Sequence, residues 1–258
     1  MSPFVLAVLT LWQRELVRFY RQPSRVLGAL APPVLFWLLI GSGLGPSFRA
    51  PGAGGTSYLA WFFPGVVILI LLFTAIFSEI SIIEDRREGF LQAVLVSPAP
   101  RFAVVLGKVL GGTTLALLQS VLFLLLGFAI GLRPASAAAV AVLAAVLFLL
   151  AFGLAALATA IAWGLDSTQG FHAIMNLFLI PMWLLAGTLF PVAGTPGWLG
   201  AVMRANPLTY GVVALRRALT PAHAAGLPGL GVSLAVTAGC AALAFGAAGW
   251  VASRRSPR

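Results

Sequence analysis

Six apolar stretches, at about residues 26–44, 58–83, 102–132, 135–163, 170–190 and 229–252, set the main constraint on this chain. A helix needs roughly 20 apolar residues to cross about 30 Å of hydrocarbon, so each stretch is long enough to span a bilayer. The second and third exceed that need and are expected to tilt or to project beyond the membrane. With 60% hydrophobic and only 9% charged residues and a mean hydropathy of +1.04, the chain has too little charge to cover a soluble surface. The expected fold is all-α: a polytopic membrane protein forming one transmembrane domain over residues 1–258.

The net charge of +10 does not point to nucleic acid, because the arginines punctuate apolar runs instead of forming one basic face. They mark membrane edges, and their asymmetry sets orientation. Arg14, Arg18, Arg21, Arg25, Arg86, Arg87, Arg101, Lys108, Arg254, Arg255 and Arg258 fall on one side. Arg49, Arg133, Arg204, Arg216 and Arg217 fall on the other. Eleven against five places both termini in the cytoplasm, which agrees with an even number of spans. Arg14, Arg18, Arg21 and Arg25 follow the short apolar stretch 4–11, which is the reverse of a cleavable signal, so the first span is expected to remain. Glu79 is the one charge well inside a span. It lies about one turn from the inner end, where it is expected to reach the interface or to pair with a basic neighbour.

Residues 1–25 precede the first span. Leu6, Leu9, Leu16 and Phe19 recur at helical spacing, with Arg14, Arg18 and Arg21 interleaved and Trp12 as an anchor. This pattern suits either an amphipathic helix on the inner membrane surface or a solvated leader. Gln22-Pro23 ends it and turns the chain into the membrane.

Catalytic candidates are scarce. His172 and His223 lack zinc-binding spacing, and Glu79 and Asp166 form no carboxylate pair. Gly41-Ser42-Gly43 has no histidine placed to activate its serine, so a loop is expected there. The single Cys240 excludes an internal disulfide or a cysteine metal cluster and reads as a packing residue. No catalytic or metal site is expected. Gly107-Lys108-Val109 is the nearest approach to a phosphate loop, but it lacks the hydroxyl and opens an apolar helix, so Lys108 is expected to snorkel to the interface. This chain is therefore expected to bind no cofactor, and any ATP and magnesium would be held by another chain.

The segment 84–101 opens with Glu84, Asp85, Arg86, Arg87 and Glu88, for which local pairing of Glu84 or Glu88 around Arg87 is expected. Gly89 and Phe90 follow. Leu91, Val94 and Leu95 then share one side of a short helix stopped by Pro98 and Pro100. An exposed apolar face rimmed by charge suits docking to a soluble partner; an ordinary loop with a helical turn is equally compatible.

The run from Glu88 to Pro98, followed by Leu106-Gly107-Lys108, resembles the cytoplasmic loop of the ABC-2 type transporter permease family. Leu185-Ala186-Gly187-Thr188-Leu189-Phe190-Pro191 is similar to the end of that family's fifth span. Pro196-Gly197-Trp198-Leu199, Asn206-Pro207-Leu208-Thr209-Tyr210 and Leu215-Arg216 resemble its following outer segment. Gln92 departs from the glutamate frequent in the family.

On physical grounds Asn206 caps a helix begun by Pro207, and Leu208, Val212, Leu215 and Leu219 form its apolar stripe. That helix is either a plain surface element or, as the resemblance implies, part of an outer re-entrant segment spanning 191–228. The resemblance further implies an exporter in the cell (inner or plasma) membrane. Two permease copies, or this chain and a homologue, would join two ABC ATPase subunits docked at the 84–101 coupling segment. Small residues allow close helix approach, and Gly111, Gly112, Gly127 and Gly153 are expected as packing points. Phe36, Trp37, Trp61, Phe62 and Phe63 are expected at the seam lining the pathway. Two other classes fit the residues less well: an ion-gradient transporter, for which only Glu79 offers a buried ionisable group, and a non-transporting scaffold that recruits a cytoplasmic partner.

Overall fold

The computed structural model describes residues 2–44, 57–97, 99–192, 195–221 and 227–254. Six helices are long and apolar enough to cross a membrane. They are α2 (Pro23–Leu44), α3 (Tyr58–Arg87), α5 (Arg101–Ala129), α6 (Ala137–Ala162), α7 (Thr168–Trp183, continued by a π-helical turn at Leu184–Thr188) and α10 (Leu230–Arg254). Four shorter helices accompany them: α1 (Pro3–Tyr20), α4 (Phe90–Leu95), α8 (Gly197–Ala205) and α9 (Pro207–Leu219). In hydrocarbon only a helix satisfies its own backbone, and the chain is a multi-pass membrane protein. Ser57, Ser136, Ser167 and Asn206 cap α3, α6, α7 and α9 with side-chain oxygens that accept backbone N–H groups, which fixes where these helices begin.

α3 is the axis of the bundle. It is apolar on every side, the mark of a fully buried helix, and its residues from Ala60 to Leu72 are all buried. α2, α5, α6, α7 and α9 surround it. α2, α7 and α10 lie at the periphery and expose apolar side chains such as Leu39, Leu177 and Leu243, as lipid-facing helices do.

α1 forms as an amphipathic helix, and one face of it meets the bundle. It packs along α5 and buries Val8, Leu11, Glu15 and Phe19, while Leu6 and Leu9 face outward. Gly107 and Gly111, one turn apart on α5, make the bed for it. A Cβ on Gly107 would lie 2.9 Å from Leu11 Cβ, and one on Gly111 would lie 2.7 Å from Glu15 Cβ. Small residues four apart let helices approach this closely. Trp12, partly buried, donates from Nε1 to Thr114 Oγ1 on α5 at 2.9 Å. The other glycines expected as packing points also lie against neighbouring side chains within this chain. Gly112 faces Glu79 and Ser78, Gly127 faces the Phe63 ring, and Gly153 faces Ala241.

Polar links tie five chain segments at one end. Arg25 at the start of α2 reaches Glu84 near the end of α3, and Arg86 reaches Asp166 in the α6–α7 connection. Arg101 at the start of α5 donates to the carbonyls of Ala252 and Ser253 at the end of α10. The start of α2 and the end of α10 therefore lie at the same end, consistent with six crossings. Arg49, His223, Arg255 and Arg258 fall outside the described residues.

Replacing Gly107 by Leu should wedge α1 from α5 and cost about 1–3 kcal/mol, typical of overpacking. The thermal unfolding midpoint in detergent should fall. Gly246→Leu, where an added side chain meets open space, should leave it unchanged.

Candidate coupling site

The densest polar cluster lies where α1, the start of α2, the end of α3 and α5 meet. Lys108 is 1% exposed. Its Nζ donates to Glu15 Oε1 at 2.6 Å, to Ser81 Oγ at 3.2 Å and to Asp85. Asp85, fully buried, also accepts from Arg14 (2.6 Å) and Arg18 (2.5 Å). Arg18 bridges onward to Glu84 at 2.7 Å and to Glu88 at 3.6 Å, and Arg25 grips Glu84 at 2.5 Å.

The members balance in charge: Glu15, Glu84, Asp85 and Glu88 against Arg14, Arg18, Arg25 and Lys108. Neutrality and multiple hydrogen bonds are what make burial of charges tolerable. Burial alone would lower the pKa of Arg14. The hydrogen bond and charge of Asp85 outweigh it and raise the pKa above the ordinary value, so this arginine is a permanent cation.

This geometry corrects three expectations. Lys108 does not snorkel, because the carboxylates of α1 and α3 come to it. Glu84 and Glu88 do not pair locally around Arg87; their partners are Arg18 and Arg25, some 60 to 70 residues earlier in the chain. Glu79 finds neither the interface nor a cation. It is 1% exposed and accepts from Thr159 Oγ1 at 2.9 Å, with Ser78 Oγ at 3.3 Å.

Gly89 reverses the chain between α3 and α4 with φ +77°, a conformation natural to glycine. α4 is then held against the bundle. The Arg14 guanidinium lies 3.8 Å from the Phe90 ring centroid, and Leu91 is 1% exposed within the core. The expected exposed face of Leu91, Val94 and Leu95 is therefore turned inward, with Val94 and Leu95 only partly covered. The outward surface consists instead of Arg87, Glu88, Gly89, Ala93, Val96 and Ser97. Pro98 lies outside the described residues. Arg86 and Arg87 stitch this turn to the α6–α7 connection through the carbonyls of Trp163, Leu165 and Asp166. Beside it, an open cavity of about 710 Å³ is lined by Thr10, Gln13, Arg14, Val17, Arg18, Arg21, Gln22 and Glu88.

The residues expected in an outer segment are assembled as a packed unit. Asn206 accepts from the Leu208 N–H and donates from Nδ2 to the Met182 carbonyl (2.6 Å), freed where the turn of α7 widens. Tyr210 donates to the Arg204 carbonyl, and Arg216 Nη2 donates to the Gly187 carbonyl at 2.6 Å. The aromatic set expected at a seam is mostly interior. Phe63 stacks on Phe123 and Trp37 meets both rings edge-on, Phe62 meets Trp183, and Trp61 lies under Arg216. Of the five, only Phe36 is exposed.

Sequence reasoning missed Glu15 and Lys108 as partners. The available signal was Glu15 itself, a carboxylate sitting in the helical stripe Val8–Leu11–Glu15–Phe19, where an unpaired charge would not be buried. Among the described residues, no group of three or more His, Cys, Asp or Glu is placed to hold a metal ion.

Comparison with known proteins adds a family context. The profile of the ABC-2 type transporter family matches residues 7–220. The chain is similar to a protein named as the transport permease ycf38 of Cyanophora paradoxa, at 25% identity over 83% of this chain and 74% of that protein. It is also similar to the daunorubicin resistance ABC transporter permease protein DrrB1 of Streptomyces coeruleorubidus, at 24% identity over 93% and 83% respectively. Nodulation protein J of Sinorhizobium fredii matches at 28% identity over 90% of this chain and 86% of its own length.

Lys108→Met should destabilise the chain by about 3–5 kcal/mol, because Glu15 loses its main partner while remaining buried. Adding Glu15→Gln should recover more than half of that loss. Thermal unfolding of the single and double variants in detergent measures both effects.

Proposed function

The chain belongs to the ABC-2 type transporter family, and from that membership we propose that it is the membrane-spanning subunit of an ATP-driven exporter. It works as a dimer, or paired with a homologue, with separate ATPase subunits that carry ATP and magnesium. The observation that carries this reading is the junction of α1, α3, α4 and α5. Its exposed rim of Arg87, Glu88, Ala93, Val96 and Ser97 borders a cationic groove on α1. Its interior is locked by ion pairs to Lys108, Arg14, Arg18 and Arg25. A soluble partner pressing on this rim acts on the end of α3, the buried axis of the bundle, through contacts that do not yield locally. That is the mechanical property a coupling site needs. The relatives named as an ABC transporter permease and a drug-resistance protein support export as the direction. The chain resides in the cell membrane with the ion-paired end in the cytoplasm.

Two measurements test this. Ala93→Lys with Val96→Asp changes exposed positions outside the ion cluster, so it should leave the unfolding midpoint unchanged while abolishing copurification with a partner ATPase and ATP hydrolysis in lipid nanodiscs. Retained copurification and hydrolysis would overturn the docking assignment and bring ion-gradient transport or scaffolding forward. Leu91→Asp is not a clean probe, since it places a charge in the core. For topology, single cysteines at Ser57 and Ser253 in a Cys240→Ala background should label only from outside and only from inside, respectively.

A further inference from the structure

The outward surface of α1 is divided along its length. Val5, Leu6, Leu9, Val17 and Tyr20 form an exposed apolar arc. Beside it Thr10, Gln13, Arg14, Arg18 and Arg21 recur at three- and four-residue spacing, which puts them on one side of the helix. They line an open groove of about 710 Å³ that Val17, Gln22 and Glu88 complete. Exposed apolar side chains are stable against hydrocarbon and not against water, whereas the arginine side requires water or an anion. A helix divided in this way lies where acyl chains meet head groups. Val17 carries the apolar arc into the groove itself.

The groove also holds one cation more than the ion cluster neutralises. Glu15, Glu84, Asp85 and Glu88 balance Arg14, Arg18, Arg25 and Lys108, and Arg21 is left over. It is exposed, and its guanidinium has no ion pair or hydrogen bond among the described residues. Other arginines at this end are engaged. Arg86 pairs with Asp166, Arg87 and Arg101 hold backbone carbonyls, and Arg254 lies over the Trp250 ring. Gln13 and Gln22 add amide donors to the groove, and neither side chain has a partner among the described residues. The carboxylate in the lining, Glu88, is 61% exposed and 3.6 Å from Arg18, the longest link in the cluster.

We propose that this groove binds the phosphate head group of an anionic phospholipid from the surrounding leaflet. Arg21 is the charge partner, Gln13 and Gln22 are the amide donors beside it, and the acyl chains lie over the apolar arc. A guanidinium fork matches phosphate oxygens, and arginines at a membrane surface draw anionic lipid toward them. The apolar arc selects a lipid over a soluble anion, which would use the arginine wall alone. The site touches the coupling rim at Glu88 but does not depend on the exporter reading.

The test titrates the full-length permease, purified in dodecyl maltoside without ATPase, with phosphatidylglycerol or phosphatidylcholine of the same chains. Native mass spectrometry counts the bound lipids. The first phosphatidylglycerol should bind about fivefold or more tighter than the first phosphatidylcholine. Arg21→Gln should remove about fivefold of that affinity, the contribution of one arginine at a membrane surface. Val17→Glu, which sets an anion in the groove outside the ion cluster, should erase the preference as well. Arg254→Gln, at an exposed cation outside the groove, should leave it unchanged. Arg21 and Val17 are exposed, so both variants should keep the wild-type unfolding midpoint; if one does not, the other decides. A thousandfold excess of glycerol 3-phosphate should fail to displace the lipid. Displacement would assign the groove to a soluble anion and overturn the proposal. Equal affinity for the two lipids overturns it too, as does an equal loss in Arg21→Gln and Arg254→Gln, the mark of a diffuse field. An intact lipid preference in Arg21→Gln, together with lost ATPase copurification, assigns the groove to a protein partner and also overturns it. No ATPase takes part in the lipid titration, so its result is separate from that of the docking assignment.

Discussion

A lysine held inside the bundle sets the terms for everything at one end of this protein. Lys108 lies on α5 with 1% exposure, and an isolated ammonium there would cost several kcal/mol. It is tolerable because Glu15 and Asp85 meet it from two other helices. Each carboxylate in turn demands neutralisation, so Arg14, Arg18 and Arg25 are drawn in and Glu84 and Glu88 complete the balance. The consequence is architectural. α1 must lie in the Gly107–Gly111 groove for Glu15 to reach Lys108, and α2 must start beside the end of α3 for Arg25 to reach Glu84. Four elements are therefore located by one charge requirement.

α3 connects that end to the other. Its 30 residues extend about 45 Å at 1.5 Å per residue, with Asp85 in the ion cluster and Tyr58 and Trp61 at the far end. Because its whole circumference is packed, a displacement at one terminus has little room to dissipate along the way, in keeping with the low compressibility of close-packed interiors. On the proposed reading, force from an ATPase would enter where α3 is gripped by salt bridges. It would then reach a region where α7 is already loosened by Pro181, the π-helical turn and Gly187. A rigid rod joined to a weakened helix end is a reasonable division of labour for transmitting motion, since irregular turns concentrate where helices must change shape.

The two ends differ in how they treat charge. One neutralises its cations internally with carboxylates. The other holds Arg216 and Arg217 with backbone carbonyls of Gly187, Leu227 and Pro228, which bond the guanidinium without cancelling it. That leaves a positive field at the far end for which this sequence offers no carboxylate.

The sequence by itself determined the class of fold, the six crossings and most helix limits. Apolar length and capping residues are local properties, and lipid leaves the backbone no alternative to helices. It also located α4 and the Asn206-Pro207 start of α9, because glycine, proline and asparagine act on their own neighbourhood. Partner choice was decided only by the tertiary structure. Lys108 read as a snorkelling residue and Glu84 as a local pair, since their partners lie 23 to 93 residues away in the chain or on elements whose approach depends on glycine grooves. The direction of Leu91 and of the aromatics Trp61, Phe62 and Phe63 was equally hidden. An amphipathic or wholly apolar helix does not specify whether it faces lipid, a partner or its own bundle, and only the packing around α3 resolved that choice.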